Sequence, residues 1–242
     1  MPTMMETLNE YINKYEIPKL NSVDELMALI GDRNSQYYAA CYYITQVMLL
    51  RMRDKMRCVI IHGTSDSGKS HIAKIMSRIF IAFMMFETRG IYDQQMSELE
   101  AHIQLFILNE ANLLDLFEKK KMPAFKLFTE GEGRMVENKY GHPFKGFINC
   151  HQLITCQHLV CPLVEPLSSR SKWTRFEYLS ENEALMKRVK LVRFSKEYSE
   201  MDHMFADKEW AQCLLYMAEN FENIQPPVEP NVFEVEQLGN DG

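Results

Sequence analysis

One segment, residues 63–70, limits what this chain can fold into more than any other. It reads Gly-Thr-Ser-Asp-Ser-Gly-Lys-Ser and fits the pattern G-x-x-x-x-G-K-[ST] in full. The apolar run 58–61 before it predicts a buried parallel strand, and the helical spacing of apolar residues in 71–86 predicts a helix after it. A glycine-rich loop between a strand and a helix points backbone N–H groups at phosphate oxygens, and the helix N-terminus adds positive potential. The sequence therefore predicts an α/β fold with a site for nucleotide phosphates.

The residues of this loop are expected to bind ATP and Mg²⁺. The Lys69 ammonium is predicted to reach the β- and γ-phosphates, and the Ser70 hydroxyl is predicted to hold the Mg²⁺ ion. The phosphate-binding set is Gly63, Thr64, Ser65, Asp66, Ser67, Gly68, Lys69 and Ser70. A chance glycine turn is the alternative, and the flanking strand and helix argue against it.

A second apolar stretch, residues 105–108, ends in the polar pair Asn109 and Glu110. It is typical of the acidic strand that faces a phosphate-binding loop, and a short strand at 88–92 is predicted between the two. At the end of such a strand, the Glu110 carboxylate can orient and deprotonate an attacking water. The alternative is a core strand that ends at an ordinary surface glutamate. The position of Glu110 downstream of the loop favours the catalytic interpretation.

The chain is predicted to divide into four parts. Residues 1–56 are predicted to be helical, with a capping-box pattern at Ser22 and Glu25, a stop at Gly31 and a longer helix over 35–55. They form a helical subdomain packed on the next domain, an oligomerisation collar, or both. Residues 57–195 are assigned to the ATPase domain and 196–224 to a C-terminal helical segment. The acidic, proline-rich tail 225–242 is predicted to be disordered.

Composition excludes several classes of protein. The net charge of −6 rules out nucleic-acid binding through bulk charge, so any DNA contact needs a local basic surface or a channel. No apolar run approaches the roughly 20 residues of a membrane span, and the first residues do not form a signal peptide. Six cysteines in 242 residues do not indicate a disulfide scaffold. We therefore expect a soluble protein in a reducing compartment, with no membrane partner.

Three further motifs follow in order. Residues 134–139, Arg-Met-Val-Glu-Asn-Lys, predict a strand that leads into a turn at 140–143. Residues 153–157, Leu-Ile-Thr-Cys-Gln, predict another strand, and residues 166–170 read Pro-Leu-Ser-Ser-Arg. Together with the phosphate-binding loop and the Asn-Glu strand, this order over residues 57–195 resembles the superfamily 3 helicases of small DNA viruses. It is especially similar to the helicase domain of parvovirus large nonstructural replication proteins.

The resemblance implies both a fold and an activity. The fold is an AAA+ P-loop NTPase, in which helices flank a central, mostly parallel sheet and a small helical subdomain precedes it. The activity is that of an ATP-dependent DNA helicase that assembles as a ring, usually a homo-hexamer. Such a motor moves 3′→5′ on single-stranded DNA held in the ring channel. The resemblance also implies replication of a small DNA virus genome in the host cell nucleus.

The resemblance further assigns residues that act on ATP. Arg170 matches the arginine finger that is offered to a neighbouring subunit's ATP, and Arg175 is its nearest rival. Gln157 fits best as the sensor, and His158 or His151 would take its place if the alignment shifts.

The same resemblance makes residues 134–139 part of a segment that leads into a hairpin facing the channel. Lys139 and Lys145 are the expected DNA contacts, because a hairpin with basic and aromatic side chains can hold backbone phosphates and stack bases. A plain surface hairpin is the alternative.

Asn109 departs from the family pattern, since many relatives carry a second carboxylate there. An asparagine can order a Mg²⁺-bound water, so Asn109 joins Ser70 in the predicted metal site. It adds no charge to that site.

A group of cysteine and histidine residues in 150–161 raises the alternative of a zinc site. The group lacks a Cys-x-x-Cys pair, and an alternating strand would split its side chains between two faces. We therefore interpret it as core and sensor strand.

Two other function classes remain open. A small-molecule kinase would use the same loop, but it predicts a monomer that DNA does not stimulate, and the Arg170 motif argues against it. An ATP-driven DNA packaging or assembly module would bind ATP and oligomerise without unwinding a duplex, and nothing in the sequence excludes it.

Overall fold

A computed structural model gives the architecture of the central sheet and of the helices around it. It describes residues 2–52, 56–85, 103–113, 125, 133–136, 144–147, 150–157, 160–161, 174–175, 186–195 and 205–228. Within these residues, no helix is long and apolar enough to cross a bilayer.

Nine strands occur in the described residues, and five of them form one sheet. In chain order the strands are β1 (Cys58–Gly63), β2 (Ala82–Met85), β3 (Leu105–Leu108), β4 (Gly133–Val136), β5 (Phe144–Phe147), β6 (His151–Cys156), β7 (Val160–Cys161), β8 (Thr174–Arg175) and β9 (Val189–Phe194). The sheet has the order β2-β3-β6-β1-β9, and every neighbouring pair is parallel. The strands β4 and β5 form a separate antiparallel pair, as do β7 and β8.

The inner strands are buried on both faces, which explains the continuous apolar runs in β1 and β3. In β6 the polar residues His151, Gln152 and Thr155 are buried as well. Because the sheet is parallel, the carboxyl ends of its strands lie at one edge. The segments that follow β1, β3, β6 and β9 therefore meet there, where open α/β sheets bind their ligands.

The helices in the described residues begin and end at local signals. They are α1 (Met4–Lys14), α2 (Val23–Ile30), α3 (Gln36–Ile44), α4 (Lys69–Ile79) and α5 (Asp207–Glu219). Thr3 and Glu6 form a capping box at the start of α1, and the Ser22 hydroxyl accepts the Glu25 N–H at the start of α2. As predicted, α2 ends at Gly31.

The N-terminal helices share a core with the five-stranded sheet. Side chains that alternate along the strands divide between two apolar clusters. The larger cluster joins one face of the sheet to residues from all five helices, among them Leu8, Leu26, Ile44, Ile72 and Trp210. The smaller cluster covers the other face around Ile60, Phe106 and Phe125. The described helices α1–α3 therefore share one apolar core with the sheet.

Two predicted helix boundaries were wrong. The helix expected over 71–86 ends at Ile79, because the chain turns extended at Phe80 and residues 82–85 pair with β3. The helix expected over 35–55 is α-helical only to Ile44 and continues as a π-helical turn, Thr45–Leu49. The strand expected at 88–92 lies outside the described residues.

The tail was predicted to be disordered from residue 225, but residues 225–228 are held against the N-terminal helices. Arg33 donates to the Gln225 side chain at 2.5 Å and to the Pro226 carbonyl at 2.9 Å, and the Tyr38 hydroxyl donates to the Gln225 carbonyl. The Val228 N–H also donates to the Arg33 carbonyl. The rest of the tail lies outside the described residues.

Candidate active site

The phosphate-binding loop leaves β1 at a residue that has to be glycine. Gly63 has φ +138°, and a Cβ atom there would lie 1.8 Å from the Phe194 carbonyl oxygen of β9. The Thr64 N–H donates to that same oxygen at 3.2 Å. At the other end of the loop, Gly68 has φ +89° and caps α4, whose first residue is Lys69. The strand, loop and helix thus follow one another as the motif requires.

The Lys69 ammonium lies inside the loop. It donates to the carbonyl oxygens of Gly63, at 2.9 Å, and Thr64, and to the Ser67 hydroxyl at 3.1 Å. Burial lowers the pKa of Lys69, and the carboxylates of Asp66 and Glu110 oppose that shift. A buried cation held by neutral oxygens is a strong site for an anion, because a phosphate would add the missing negative charge.

Glu110 lies across from the start of α4. Its Oε1 atom is 3.4 Å from Ser70 Oγ, so β3 and the loop bring a carboxylate and a hydroxyl together. Hydroxyl and carboxylate oxygens are ligands that Mg²⁺ prefers, and the Lys69 cation immediately precedes Ser70 in the chain. The residues present therefore fit a magnesium–nucleotide complex.

A buried hydrogen-bond network holds the turn after β3. The Thr155 hydroxyl donates to Asn109 Oδ1 and accepts the Glu110 N–H, both at 2.9 Å. The Thr155 carbonyl accepts the Ala111 N–H at 2.7 Å. Asn109 is only 2% exposed, and its side-chain oxygen faces Thr155. Its role as a metal residue stays a prediction.

Gln157 lies just beyond the carboxyl end of β6. Its side-chain amide donates to Ser65 Oγ at 3.1 Å, which brings the predicted sensor to the phosphate-binding loop. His151 is at the opposite end of the same strand, where it is buried, and burial lowers its pKa to about 3. The geometry favours Gln157 over His151, and His158 lies outside the described residues.

Sequence reasoning missed two residues that brace the loop from α3. The Gln36 amide donates to the Ser67 carbonyl at 3.1 Å, and the Tyr37 hydroxyl donates to the same oxygen at 3.3 Å. Gln36 also accepts the Ser195 N–H, just after β9, at 3.0 Å. No sequence motif marks these residues, because they act across about 30 residues of chain through the tertiary fold.

The predicted DNA contacts and the arginine finger are described only in part. Lys145 lies on β5, where its backbone pairs with Met135 of β4, so the expected hairpin is present. Lys139 and Arg170 lie outside the described residues. The rival Arg175 lies on the short strand β8.

The zinc alternative is tested only in part, because His158 of the cysteine and histidine group lies outside the described residues. Among the residues that the structure describes, no group of three or more histidine, cysteine or acidic residues is arranged to hold a metal ion. Cys150 and Cys156 are buried in the smaller apolar cluster, as the core interpretation predicts.

The architecture is similar to that of solved structures. The apo structure of the NrS-1 C-terminal region (305-718) aligns with a TM-score of 0.52 at 13% identity, over 91% of this chain and 48% of that one. The A form apo structure of the same region aligns with a TM-score of 0.50 at 14% identity, over 91% and 47%. The X-ray structure of JCV Helicase gives a TM-score of 0.49 at 12% identity, over 89% and 61%.

No protein-family model and no curated protein matches the sequence. The chain spans about half the length of the NrS-1 region. The parallel sheet and the likeness to that region confirm the predicted fold class at the level of an α/β P-loop NTPase-like fold with helices around the sheet.

Proposed function

We propose that this chain is the ATP-hydrolysing motor of a ring-forming DNA helicase that moves 3′→5′ and replicates a small DNA virus genome. One observation carries the proposal. The loop cation Lys69, the Ser70 hydroxyl and the Glu110 carboxylate meet at one edge of a parallel sheet. Phosphoryl transfer to water needs a cation on the phosphates, a ligand for Mg²⁺ and a group that orients the water.

Each of these residues has a definite task when ATP binds. The Lys69 ammonium would release the carbonyl oxygens of the loop and donate its hydrogen bonds to phosphate oxygens instead. The cation is already in the loop, so binding would not require another one to be buried. The Ser70 hydroxyl would hold Mg²⁺, and the ion would supply positive charge beside the phosphates. The Glu110 carboxylate would accept a proton from the attacking water. Gln157, which contacts Ser65 of the loop, would act as the sensor that couples the γ-phosphate to strand β6.

The helicase part of the proposal rests on the order of motifs and on the β4–β5 hairpin. A hairpin that leaves the sheet between the acidic strand β3 and the sensor strand β6 can face the channel of a ring. Lys145 on β5, together with Lys139, would then hold DNA phosphates. Arg170 would complete the ATP site of the neighbouring subunit, and Arg175 is the alternative finger.

The deciding experiment measures steady-state ATPase activity of the 242-residue chain with and without single-stranded DNA. Duplexes with a 3′ or a 5′ single-stranded tail test unwinding and direction, and a mass measurement with nucleotide present tests ring formation. We expect DNA-stimulated hydrolysis, unwinding of the 3′-tailed duplex only, and a ring. Lys69→Ala should remove hydrolysis and unwinding together.

Other outcomes would replace the proposal. DNA-stimulated hydrolysis without unwinding would assign the chain to packaging or assembly. Hydrolysis by a monomer that DNA does not affect would point to a small-molecule kinase. Normal turnover by a folded Lys69→Ala variant would overturn the ATPase assignment itself.

The DNA contacts have their own test. Lys139→Ala and Lys145→Ala should each weaken single-strand binding and reduce its salt slope by about one unit per lost phosphate contact. ATPase activity without DNA should persist. Lys19→Ala is the matched control, since Lys19 pairs with Glu219 of α5 at 2.5 Å. An unchanged salt slope in both hairpin variants would remove the hairpin from the DNA site.

A further inference from the structure

The backbone at Glu110 has a conformation that its residue type disfavours. Glu110 has φ +58°, in the left-handed region that a side chain with a Cβ atom rarely adopts. The residue follows β3 directly, so this turn sets the direction in which its carboxylate points. Contacts from outside the turn have to hold this conformation, because the backbone of Glu110 alone would favour a negative φ.

Thr155 of the neighbouring strand β6 supplies the holding contacts. Its hydroxyl accepts the Glu110 N–H at 2.9 Å, and its carbonyl accepts the Ala111 N–H at 2.7 Å. The hydroxyl proton goes to Asn109 Oδ1, again at 2.9 Å. Thr155 thus contacts three consecutive residues, 109–111, which we call the acidic turn.

The chemistry at this position requires a small hydroxyl-bearing side chain. A hydroxyl can accept one hydrogen bond and donate another at the same time, which neither valine nor alanine can do. Thr155 is fully buried, so water is not at hand to replace either contact. From β6 the chain runs on to Gln157, which contacts the phosphate-binding loop at Ser65.

We propose that Thr155 is a positioning residue, which fixes the acidic turn so that the Glu110 carboxylate points at the Ser70 end of the loop. The inference rests on the proposed ATPase function for its catalytic consequence. Thr155 does not touch the nucleotide and acts through Glu110. In the same arrangement the Asn109 side chain serves as the anchor of the turn on β6.

The test compares Thr155→Val, which keeps the shape and removes the hydroxyl, with Thr155→Ser, which keeps the hydroxyl. Thr45→Val is the matched control, because Thr45 is equally buried but lies in the π-helical turn after α3. We expect Thr155→Val to lower kcat by about 10–100-fold, in the range found when a supporting hydrogen-bond partner is removed. Its KM for ATP should stay within about twofold, since the loop is intact. Thr155→Ser and Thr45→Val should keep kcat near that of the wild type.

A double variant separates positioning from general damage. In a Glu110→Gln background, Thr155→Val should lower the remaining turnover by no more than about twofold, because the group it positions is already gone. An equal fall in both backgrounds, a rise in KM without a fall in kcat, or a Thr155→Ser variant as slow as Thr155→Val would each overturn the proposal.

Amide hydrogen exchange gives a readout that does not depend on turnover. The N–H groups of Glu110 and Ala111 should both exchange slowly in the wild type. The Glu110 N–H should exchange faster in Thr155→Val, which removes its hydroxyl acceptor, and should not change in Thr45→Val. The Ala111 N–H should change less, because its acceptor is the backbone carbonyl of residue 155, which valine retains. If the wild type shows no ATPase activity, the proposed function fails while this exchange pattern still decides whether Thr155 holds the turn. Unchanged exchange of the Glu110 N–H would refute the holding role.

Discussion

Gln36 and Tyr37 of α3 brace the phosphate-binding loop, and removing them should lower both stability and nucleotide affinity. The size of the loss should depend on whether one hydrogen-bond donor or both are removed. Gln36 and Tyr37 donate to the same Ser67 carbonyl, at 3.1 Å and 3.3 Å. Tyr37→Phe leaves the Gln36 donor in place. Gln36→Leu leaves the Tyr37 donor but also removes the acceptor of the Ser195 N–H. Only the double variant takes both donors from Ser67, which is fully buried.

The size of each effect follows from these contacts. Tyr37→Phe should lower the free energy of unfolding by about 0.5–1 kcal/mol, the net value of a neutral hydrogen bond. Gln36→Leu should cost about 2 kcal/mol, because it leaves the Ser195 N–H without this acceptor. The double variant should cost about 1 kcal/mol more than the sum, since the two donors share one carbonyl. Nucleotide affinity should fall by about tenfold for each 1.4 kcal/mol needed to reorder the loop.

The assay combines urea unfolding with the Kd of a fluorescent ATP analogue. Tyr38→Phe is the control, because Tyr38 is the next residue of α3 and its hydroxyl donates to the Gln225 carbonyl at 2.8 Å, away from the loop. That variant should lose stability without losing nucleotide affinity. Additive costs in the double variant, or a Kd that shifts as much in Tyr38→Phe as in Gln36→Leu, would refute the brace.

Three other predictions concern acid stability, hydrolysis and assembly. Burial lowers the pKa of His62 and His151 from 6.5 to about 3, so between pH 6.5 and about 3 only the unfolded chain takes up these protons. The free energy of unfolding should therefore fall with falling pH, by about 1.4 kcal/mol per pH unit for each histidine, in denaturant titrations; a flat profile would contradict it. Glu110→Gln should bind ATP but hydrolyse it very slowly in single-turnover assays, and unchanged turnover would place the base elsewhere. Arg170→Ala and Lys69→Ala should each be inactive alone and regain partial ATPase activity when co-assembled; no recovery in mixed assemblies would count against a finger that acts between subunits.

The sequence predicted those parts of the site that local patterns specify. The phosphate-binding loop, the strand before it and the strand that ends at Asn109 and Glu110 each depend on a short run of residues, and the structure has the loop and both strands where they were expected. The residue contacts that hold the loop and the turn could not be predicted in this way. Gln36 reaches Ser67 over 31 positions and Thr155 reaches Glu110 over 45, and no periodicity records such pairings.

The misassigned segments have physical reasons of their own. Phe83 continues the helical spacing of α4, but a four-residue apolar run is equally suited to a buried strand, and pairing with β3 decides between them. The start of the tail has the composition of a disordered segment. Its contacts with Arg33 and Tyr38 order it, because a few specific hydrogen bonds outweigh an average preference.

Helices α1–α3 and α5 pack together in one helical layer, although they come from opposite ends of the described chain. This arrangement has a consequence for folding during synthesis. Gln212 of α5 donates to the Pro18 carbonyl across 194 positions, and Lys19 pairs with Glu219 across 200. Helices α1–α3 leave the ribosome well before α5, the partner that covers part of their apolar surface. Contacts this distant in sequence make folding slow, and uncovered apolar helices associate with one another in the meantime. We therefore expect a fragment that ends before α5 to aggregate, and the complete layer to form only after translation has passed residue 219.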